Sequence, residues 1–250
     1  MNKLSEQHRS EIVALYQSGT SSTVLGDRYG VSCQAVLALL RRRKVAIQSR
    51  SEAARRHVLN DDAFASITPE SAYWIGFLMA DGCITGTHEL RLNLATRDGE
   101  QVERFRAFLR SSHTIGRSHG QVRLAIKSRK LCSDLAVYGI VPRKSTVAQV
   151  VGLEGNRDFW RGVVDGDGNI YYSAPLGFWY LRLVGSRRMM EQFLAFAKRL
   201  TPTTASVRPH KSIAIVCLGG VHAAAILYAL YHDAPVALRR KEQIASELFC

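Results

Sequence analysis

No two cysteines of this sequence form a C-x-x-C pair. The five present (Cys33, Cys83, Cys132, Cys217 and Cys250) are odd in number and scattered, which argues against a disulfide framework or a zinc knuckle and fits a reducing cytoplasm. Long apolar runs are missing too. The longest, Tyr73 to Ala80 and Ala223 to Tyr231, fall far short of the ~20 residues a membrane span needs, and Glu6, Arg9 and Glu11 stand where a signal peptide requires an apolar core. A soluble, unexported protein is expected. The histidines show no H-x-x-x-H spacing, and neither G-x-G-x-x-G nor a Walker lysine accompanies Gly166-Asp167-Gly168. The chain neither begins with Cys or Ser nor ends in His-Asn, so intein chemistry is not expected either. Acids are scarce: 21 Asp and Glu against 34 Lys and Arg leave a net charge of +13. That balance calls for a polyanionic partner, most often nucleic acid, although ribosomal and membrane-surface partners share the signature. With 250 residues, 46% of them apolar, the chain can bury a core, which excludes a disordered tail and suits one large domain or a small plus a medium one.

Charge is concentrated at the N-terminus. Residues 1–60 hold ten Lys and Arg against four acids, +6 in a quarter of the chain. Apolar periodicity divides this stretch into three short helices, Ser5 to Gln17, Ser22 to Tyr29 and Ser32 to about Val45. Ser22 and Ser32 are candidate N-caps, and Gly19 and Gly30 candidate stops. Ile12, Val13, Leu15 and Tyr16 would face Val24 and Leu25, with Val36, Leu37, Leu39 and Leu40 closing the core, as in a helix-turn-helix domain over residues 1–46. A plain three-helix bundle has the same pattern. The run Arg41-Arg42-Arg43-Lys44 exceeds what a helix C-terminus needs for its dipole and favours DNA. In that reading Gln34, beside Cys33, Ala35 and Leu37, is the hydrogen-bonding reader of base edges. Residues 47–64 lack apolar periodicity and are expected to form a basic tether along the phosphate backbone.

The remainder is written twice. "SAYWIGFLMADGCI", "LRLNLATRDGEQVERFRAFL" and "QVRLAIKSRKLCSDLAVYGIVPRKS" are answered by "RDFWRGVVDGDGNI", "YLRLVGSRRMMEQFLAFAKRL" and "KSIAIVCLGGVHAAAILYALYHDAPVALRRK". The halves are residues 65–148 and 149–250, and Asp81 and Asp167 stand 167 − 81 = 86 residues apart. Each half reads helix, two alternating strands, helix, one or two strands, helix, an α+β arrangement. The leucines of "ELRLNL" and "YLRLV" alternate with polar residues, so Arg91, Asn93 and Arg182 occupy the wet face, where they either meet a nucleic-acid groove or merely solubilise the sheet. Phe105, Phe108, Phe193 and Phe196 recur at helical spacing and read as core.

Each half opens on a helix with small residues four apart, Gly76 with Ala80 and Gly162 with Gly166. Such pairs share one face and let two backbones approach closely. An Asp-Gly follows at once, so Asp81 and Asp167 end their helices, with Gly82 and Gly168 as candidate left-handed caps. A carboxylate at a helix C-terminus meets the negative end of the dipole and costs ~0.3–1 kcal/mol. Breaking that rule twice points to function. Were the helices parallel and adjacent, two carboxylates would converge, and hard divalent cations, Mg²⁺ or Mn²⁺, would be their counterions. Such a cation between carboxylates and a phosphate is suited to phosphodiester hydrolysis.

"WIGFLMADG" and "WRGVVDGDG" resemble the two motifs of single-chain LAGLIDADG homing endonucleases over roughly residues 65–248. The resemblance implies duplicated αββαββα repeats with saddle-shaped antiparallel sheets behind the small all-α domain. It implies a monomeric, Mg²⁺-dependent endonuclease cutting long, poorly symmetric double-stranded DNA sites, with Asp81 and Asp167 as the metal-binding catalytic carboxylates. The expected setting is cytoplasmic, on nucleoid DNA, with a phage or intron as the encoding element. Lys144 of "VPRKS" and Lys241 of "LRRKE" stand where the family places a basic residue near each active site, with Arg143, Arg239 and Arg240 as neighbours. Each lysine is a catalytic cation, a phosphate anchor or surface charge. Arg97 and Ser186 stand where the family orders water around the scissile phosphates. The first motif departs from the pattern with Met79 where the second has Asp165, a position that reads as a helix-end residue and not a ligand. The competing expectation is a non-cleaving regulator that joins the same two domains, or an intron maturase.

Overall fold

Three serines and a glycine set the helices of the first unit. Ser5, Ser21 and Ser32 each accept a hydrogen bond from the backbone N–H three residues on (His8, Val24 and Ala35), opening α1 (Glu6–Gln17), α2 (Ser22–Tyr29) and α3 (Cys33–Arg42). Gly30 ends α2 in the left-handed region at φ 65°. The computed structural model describes residues 4–47, 57–86, 88–144 and 147–248, which divide between two compact units, residues 1–56 and 57–250. In the first, Ile12, Tyr16, Leu25, Val36 and Leu40 are buried together.

Three local expectations shift. The second N-cap is Ser21, whose extended dihedrals suit a cap, and not Ser22, which is already helical. Helix α3 stops at Arg42 because Arg43 caps it and Lys44 turns to φ 54°. Val24 is 55% exposed, since its neighbour Leu25 takes the inward position. Of the expected tether, residues 48–56 lie outside the described residues. Residues 57–64 pack on the second unit: Val58 N–H donates to Ser112 Oγ and Asn60 N–H to the Leu109 carbonyl, and the Phe64 ring packs 5.4 Å from that of Phe108.

The second unit contains the αββαββα order twice. The first repeat comprises α4 (Pro69–Asp81), β1 (Gly82–Thr85), β2 (Glu89–Ala95), α5 (Gly99–Phe108), β3 (Gly116–Ser118), β4 (Gln121–Lys127) and α6 (Arg129–Val137). The second comprises α7 (Arg157–Asp167), β5 (Gly168–Ser173), β6 (Phe178–Gly185), α8 (Arg187–Leu200), β7 (Arg208–His210), β8 (Ile213–Gly219) and α9 (Val221–Tyr231), followed by α10 (Arg239–Glu247). Each repeat forms one four-stranded antiparallel sheet, ordered β1-β2-β4-β3 and β5-β6-β8-β7.

Period-two alternation gives each sheet a dry face. Leu90, Leu92 and Leu94 of β2 and Leu181 and Leu183 of β6 are buried beneath the repeat's own helices, in one core that runs through both repeats. The expected core phenylalanines are there: Phe105 and Phe108 around Trp74, Phe193 and Phe196 around Trp160. Among the described residues no helix is long and apolar enough to cross a membrane.

Candidate active site

Glycine decides how α4 and α7 meet. A Cβ at Gly76 would lie 1.9 Å from the Phe159 carbonyl oxygen, one at Gly162 would lie 2.1 Å from the Tyr73 carbonyl oxygen, and one at Gly166 would lie 2.3 Å from Ala80 Cβ. The four expected interface positions therefore form the contact itself. Because residues 73–77 meet 159–163 while Ala80 and Asp81 meet Gly166, the helices run parallel and end together. Asp81 Oδ2 is 3.2 Å from the same Cβ position at Gly166, so the carboxylates converge at the seam.

Gly82 and Gly168 are not left-handed caps. Both are extended, at φ −76° and −81°, because each helix runs straight into a strand. Their small size answers a different need, since a Cβ would lie 2.6 Å from the Leu78 carbonyl oxygen and 2.4 Å from that of Val164, respectively.

The two lysines complete these helix ends. Lys144 Nζ donates to the Gly82 carbonyl at 2.7 Å. Lys241 Nζ donates to the carbonyls of Val164, Asp165 and Gly168 at 2.7, 2.7 and 2.6 Å. Both are buried, 7% and 2% exposed, which removes the surface-charge reading. A cation on the negative end of each dipole also offsets the misplaced aspartate. All three protons of Lys241 are engaged, so its charge acts through space and not by donation to a phosphate.

The charges are crossed between repeats. Of the two lysines, Lys241 pulls harder on Asp81 and Lys144 on Asp167, while the strongest attraction of Lys241 itself is to Asp165 of its own repeat. Burial nevertheless raises the Asp81 carboxyl above the ordinary carboxylate value, opposed by Lys241 and Lys144. Asp167 is pushed up to about 6, first by the protein crowded around it and then by the charge of Asp81. Asp81 is half-buried and Asp167 keeps exposed surface, so the pair is reachable from solvent.

Asp165 has a scaffolding geometry. Fully buried, it accepts from Tyr73 Oη (2.8 Å), Tyr231 Oη (2.6 Å) and the Leu238 N–H (2.6 Å), and Gln101 donates onward to Tyr73 Oη. Buried Arg161 reaches the carbonyls of Val236 and Leu230 and the Asp158 carboxylate. Asp165 and Arg161 thus pin residues 236–238, three positions short of Lys241. The first repeat has Met79 and Ile75 at the corresponding positions and, among the described residues, no such network. Sequence reasoning placed Asp165 but missed Tyr73, Tyr231 and Arg161: the partners of both tyrosines lie in another part of the chain, and beside its local pair with Asp158 so do the two carbonyls that Arg161 reaches.

The remaining expected residues separate. Ser186 is buried, caps α8 by accepting from the Met189 N–H, and donates to the Ala148 carbonyl; it is a structural cap and not a water-ordering group at the strand end. Arg97 is exposed on the turn after β2, beside Asp98. Arg240 grips Asp98 through two hydrogen bonds of 2.8 and 3.2 Å, joining the repeats, and Asp98 in turn raises Asp81. That carboxylate was also missed. Arg239 is exposed, 3.9 Å from Glu100, and Arg143 is exposed with φ 59°. Arg91, Asn93 and Arg182 lie on the open sheet faces. Within the first unit, Gln34, Arg41, Arg42 and Lys44 are exposed along and just beyond α3, while Arg43 is held by Glu6.

Among the described residues no group of three or more His, Cys, Asp and Glu comes together as a metal cluster. The donor set is therefore two crowded carboxylates whose mutual repulsion a cation would relieve. Hard oxygen donors of this kind would fit a hard divalent cation such as Mg²⁺ or Mn²⁺.

No family model and no curated protein matches this chain. Solved structures do. The crystal structure of LAGLIDADG homing endonuclease I-GzeII in complex with its DNA target aligns with TM-score 0.53 and 11% identity over 74% of this chain and 89% of that one. Meganuclease I-SmaMI bound to uncleaveable DNA with a TTGT central four aligns with TM-score 0.52 and 10% identity over 74% and 88%. LAGLIDADG meganuclease I-AabMI bound to uncleaved DNA aligns with TM-score 0.51 and 12% identity over 73% and 92%.

Proposed function

From a chain that has the LAGLIDADG homing endonuclease fold, we propose a site-specific double-stranded DNA endonuclease that hydrolyses phosphodiester bonds at the seam between its repeats. The observation that carries this reading is the convergence of Asp81 and Asp167 at the parallel ends of α4 and α7, an arrangement that stability alone disfavours.

Asp81 and Asp167 would hold the divalent cations. When bound, these supply charge neutralisation at the scissile phosphate and make a water more acidic. The chain's own contribution is positioning. The glycine contact fixes the separation of the two carboxylates, and the buried lysines hold both helix ends while adding positive potential. Arg91, Asn93 and Arg182 are proposed to contact the groove, and Arg97 to lie beside the phosphates.

For the first unit the proposal is a helix-turn-helix domain with α3 against DNA. Gln34 is the base reader, and Arg41, Arg42 and Lys44 meet phosphates, with Arg43 adding charge behind its pair with Glu6. The net +13 supports a long site gripped by both units. A monomer suffices, since both carboxylates are on one chain.

The test is to incubate purified full-length chain with fragmented genomic DNA and Mg²⁺, recover what it binds, and sequence the ends. Unique, recurrent cut positions support the reading. Tight, EDTA-insensitive binding with intact strands would establish the non-cleaving regulator instead.

A further inference from the structure

The two open sheet faces match in backbone and differ in chemistry. Strand register makes them comparable position by position, because Gly82 pairs with Leu92 and Leu92 with Leu124 just as Gly168 pairs with Leu183 and Leu183 with Val216. The row nearest the aspartates carries an arginine in both repeats: Cys83, Arg91 and Ala125 answer Asn169, Arg182 and Cys217. Beyond that row the resemblance ends.

In the next row outward, Thr85, Glu89 and Lys127 of the first repeat correspond to Tyr171, Tyr180 and Gly219 of the second. On the other side, Asn93 and Arg123 correspond to Val184 and Ile215. On the central strands charged and amide groups have given way to rings and branched aliphatics, of which Ile215 is buried, while the edge position of that last row changes from Gly116 to the exposed Arg208. The rings form an ordered layer: Tyr171 stacks on Tyr180 at 5.3 Å and 13°, and Phe178 lies 5.1 Å from Tyr180. Gly219 makes room for them, since a Cβ there would lie 2.8 Å from Tyr180 Cε1 and 3.0 Å from Phe178 Cε2. Tyr171, Phe178, Tyr180 and Val184 all keep solvent-reachable surface. On the first sheet Asn93 donates to Gln121 at 2.8 Å, and Arg123 and Lys127 are exposed.

In the major groove, arginine matches the acceptors of guanine and asparagine or glutamine those of adenine, whereas an apolar side chain finds its partner in the C5-methyl of thymine. We infer that the repeats read chemically different half-sites: the first, through Arg123, Asn93 and Gln121, a half-site recognised by purine hydrogen-bonding edges, and the second, through Tyr171, Tyr180 and Val184, one recognised by thymine methyls. This rests on the DNA reading above and adds to it which base chemistry each half of the protein demands. The aromatic layer is then a specificity surface of the second repeat with no counterpart in the first.

The experiment uses full-length chain and duplexes selected by binding from a randomised pool. The consensus duplex is remade with deoxyuridine for thymidine in one half-site at a time, which removes only the methyl, and separately with 7-deazaguanosine, which removes only the N7 acceptor. Deoxyuridine should weaken binding in the second repeat's half-site, by about fourfold per contacted methyl on the scale of a buried CH₂ group. 7-Deazaguanosine should weaken binding more in the first repeat's half-site than in the second's, because Arg91 and Arg182 leave one arginine contact to each. Tyr171→Ser with Tyr180→Ser should abolish the uracil response and keep the deazaguanine response, Arg123→Ala should remove the excess deazaguanine response of the first half-site and keep the uracil response, and Tyr180→Phe, which keeps the ring, should retain the uracil response. Equal responses of the two half-sites, or a folded tyrosine double variant that still senses the methyls, overturn the inference while leaving the DNA reading in place. A pool from which no duplex is ever selected overturns the DNA reading first.

Discussion

Gly76 backs directly onto the carbonyl oxygen of Phe159, so close that a Cβ at position 76 would sit 1.9 Å from it. Backbone oxygen cannot rotate away as a side chain can, and the helices would have to separate. Gly76→Ala and Gly162→Ala are therefore expected to destabilise the second unit by about 3 kcal/mol, the upper range for overpacking. Gly155→Ala, whose Cβ would meet only an arginine tip at 3.6 Å, should be near neutral. Thermal denaturation of the purified variants checks the order.

How much of this was legible in the sequence follows from the range of each interaction. The small-residue pairs, the strand alternation and the duplication are local patterns, so α4 and α7, both sheets and the converging aspartates could be read directly. The glycines after the aspartates were read with the wrong geometry: Asp-Gly at a helix end ordinarily signals a left-handed cap, but here the strand begins at once and packing, not φ, demands glycine. Ser186 looked polar and available because its acceptor, the Ala148 carbonyl, lies 38 residues away. Lys144 and Lys241 were placed by resemblance, and their helix-capping bonds appear only once the chain has folded back on itself.

Lys241→Met should cost more than Lys144→Met. The first removes the lysine donor from three carbonyls, of which that of Val164 keeps the Gly168 N–H, and the second removes it from one. A loss on the order of 3 kcal/mol is expected for Lys241→Met, since buried acceptors retain their desolvation penalty. Urea titrations of the two variants should show this ranking, and equal losses would contradict it.

Asp165→Met imitates the first repeat but strands the hydroxyls of Tyr73 and Tyr231. It should lower stability by a few kcal/mol, as loss of a buried hydrogen-bonded acceptor does. Adding Tyr231→Phe should recover part of that loss, because apolar groups then replace both sides of that bond, whereas adding Tyr73→Phe should not, because it strands the buried Gln101 amide that donates to Tyr73. Additive losses in the Asp165→Met, Tyr231→Phe double variant would argue against the network.

Asp167 predicts a trade between stability and function. Its folded-state value of about 6 lies above the ordinary 3.8, so the folded chain holds this proton more tightly than the unfolded one. The resulting stabilisation is complete below the ordinary value and is lost as pH rises through about 6. In EDTA, Asp167→Asn should melt like the parent near pH ~4 and above it near pH ~7.5. Mg²⁺ should then raise the parent's midpoint and leave that of the variant unchanged. A variant that melts below the parent at neutral pH would contradict the assigned strain.

The most direct test of the central claim follows each DNA strand separately. The parent, Asp81→Asn and Asp167→Asn are given the same selected duplex, labelled on both strands, with Mg²⁺. Two cuts by the parent and none by either asparagine variant, with all three binding the duplex, is the expected result. A parent that binds but leaves both strands whole in Mg²⁺ and in Mn²⁺, or asparagine variants that cut as the parent does, would contradict it.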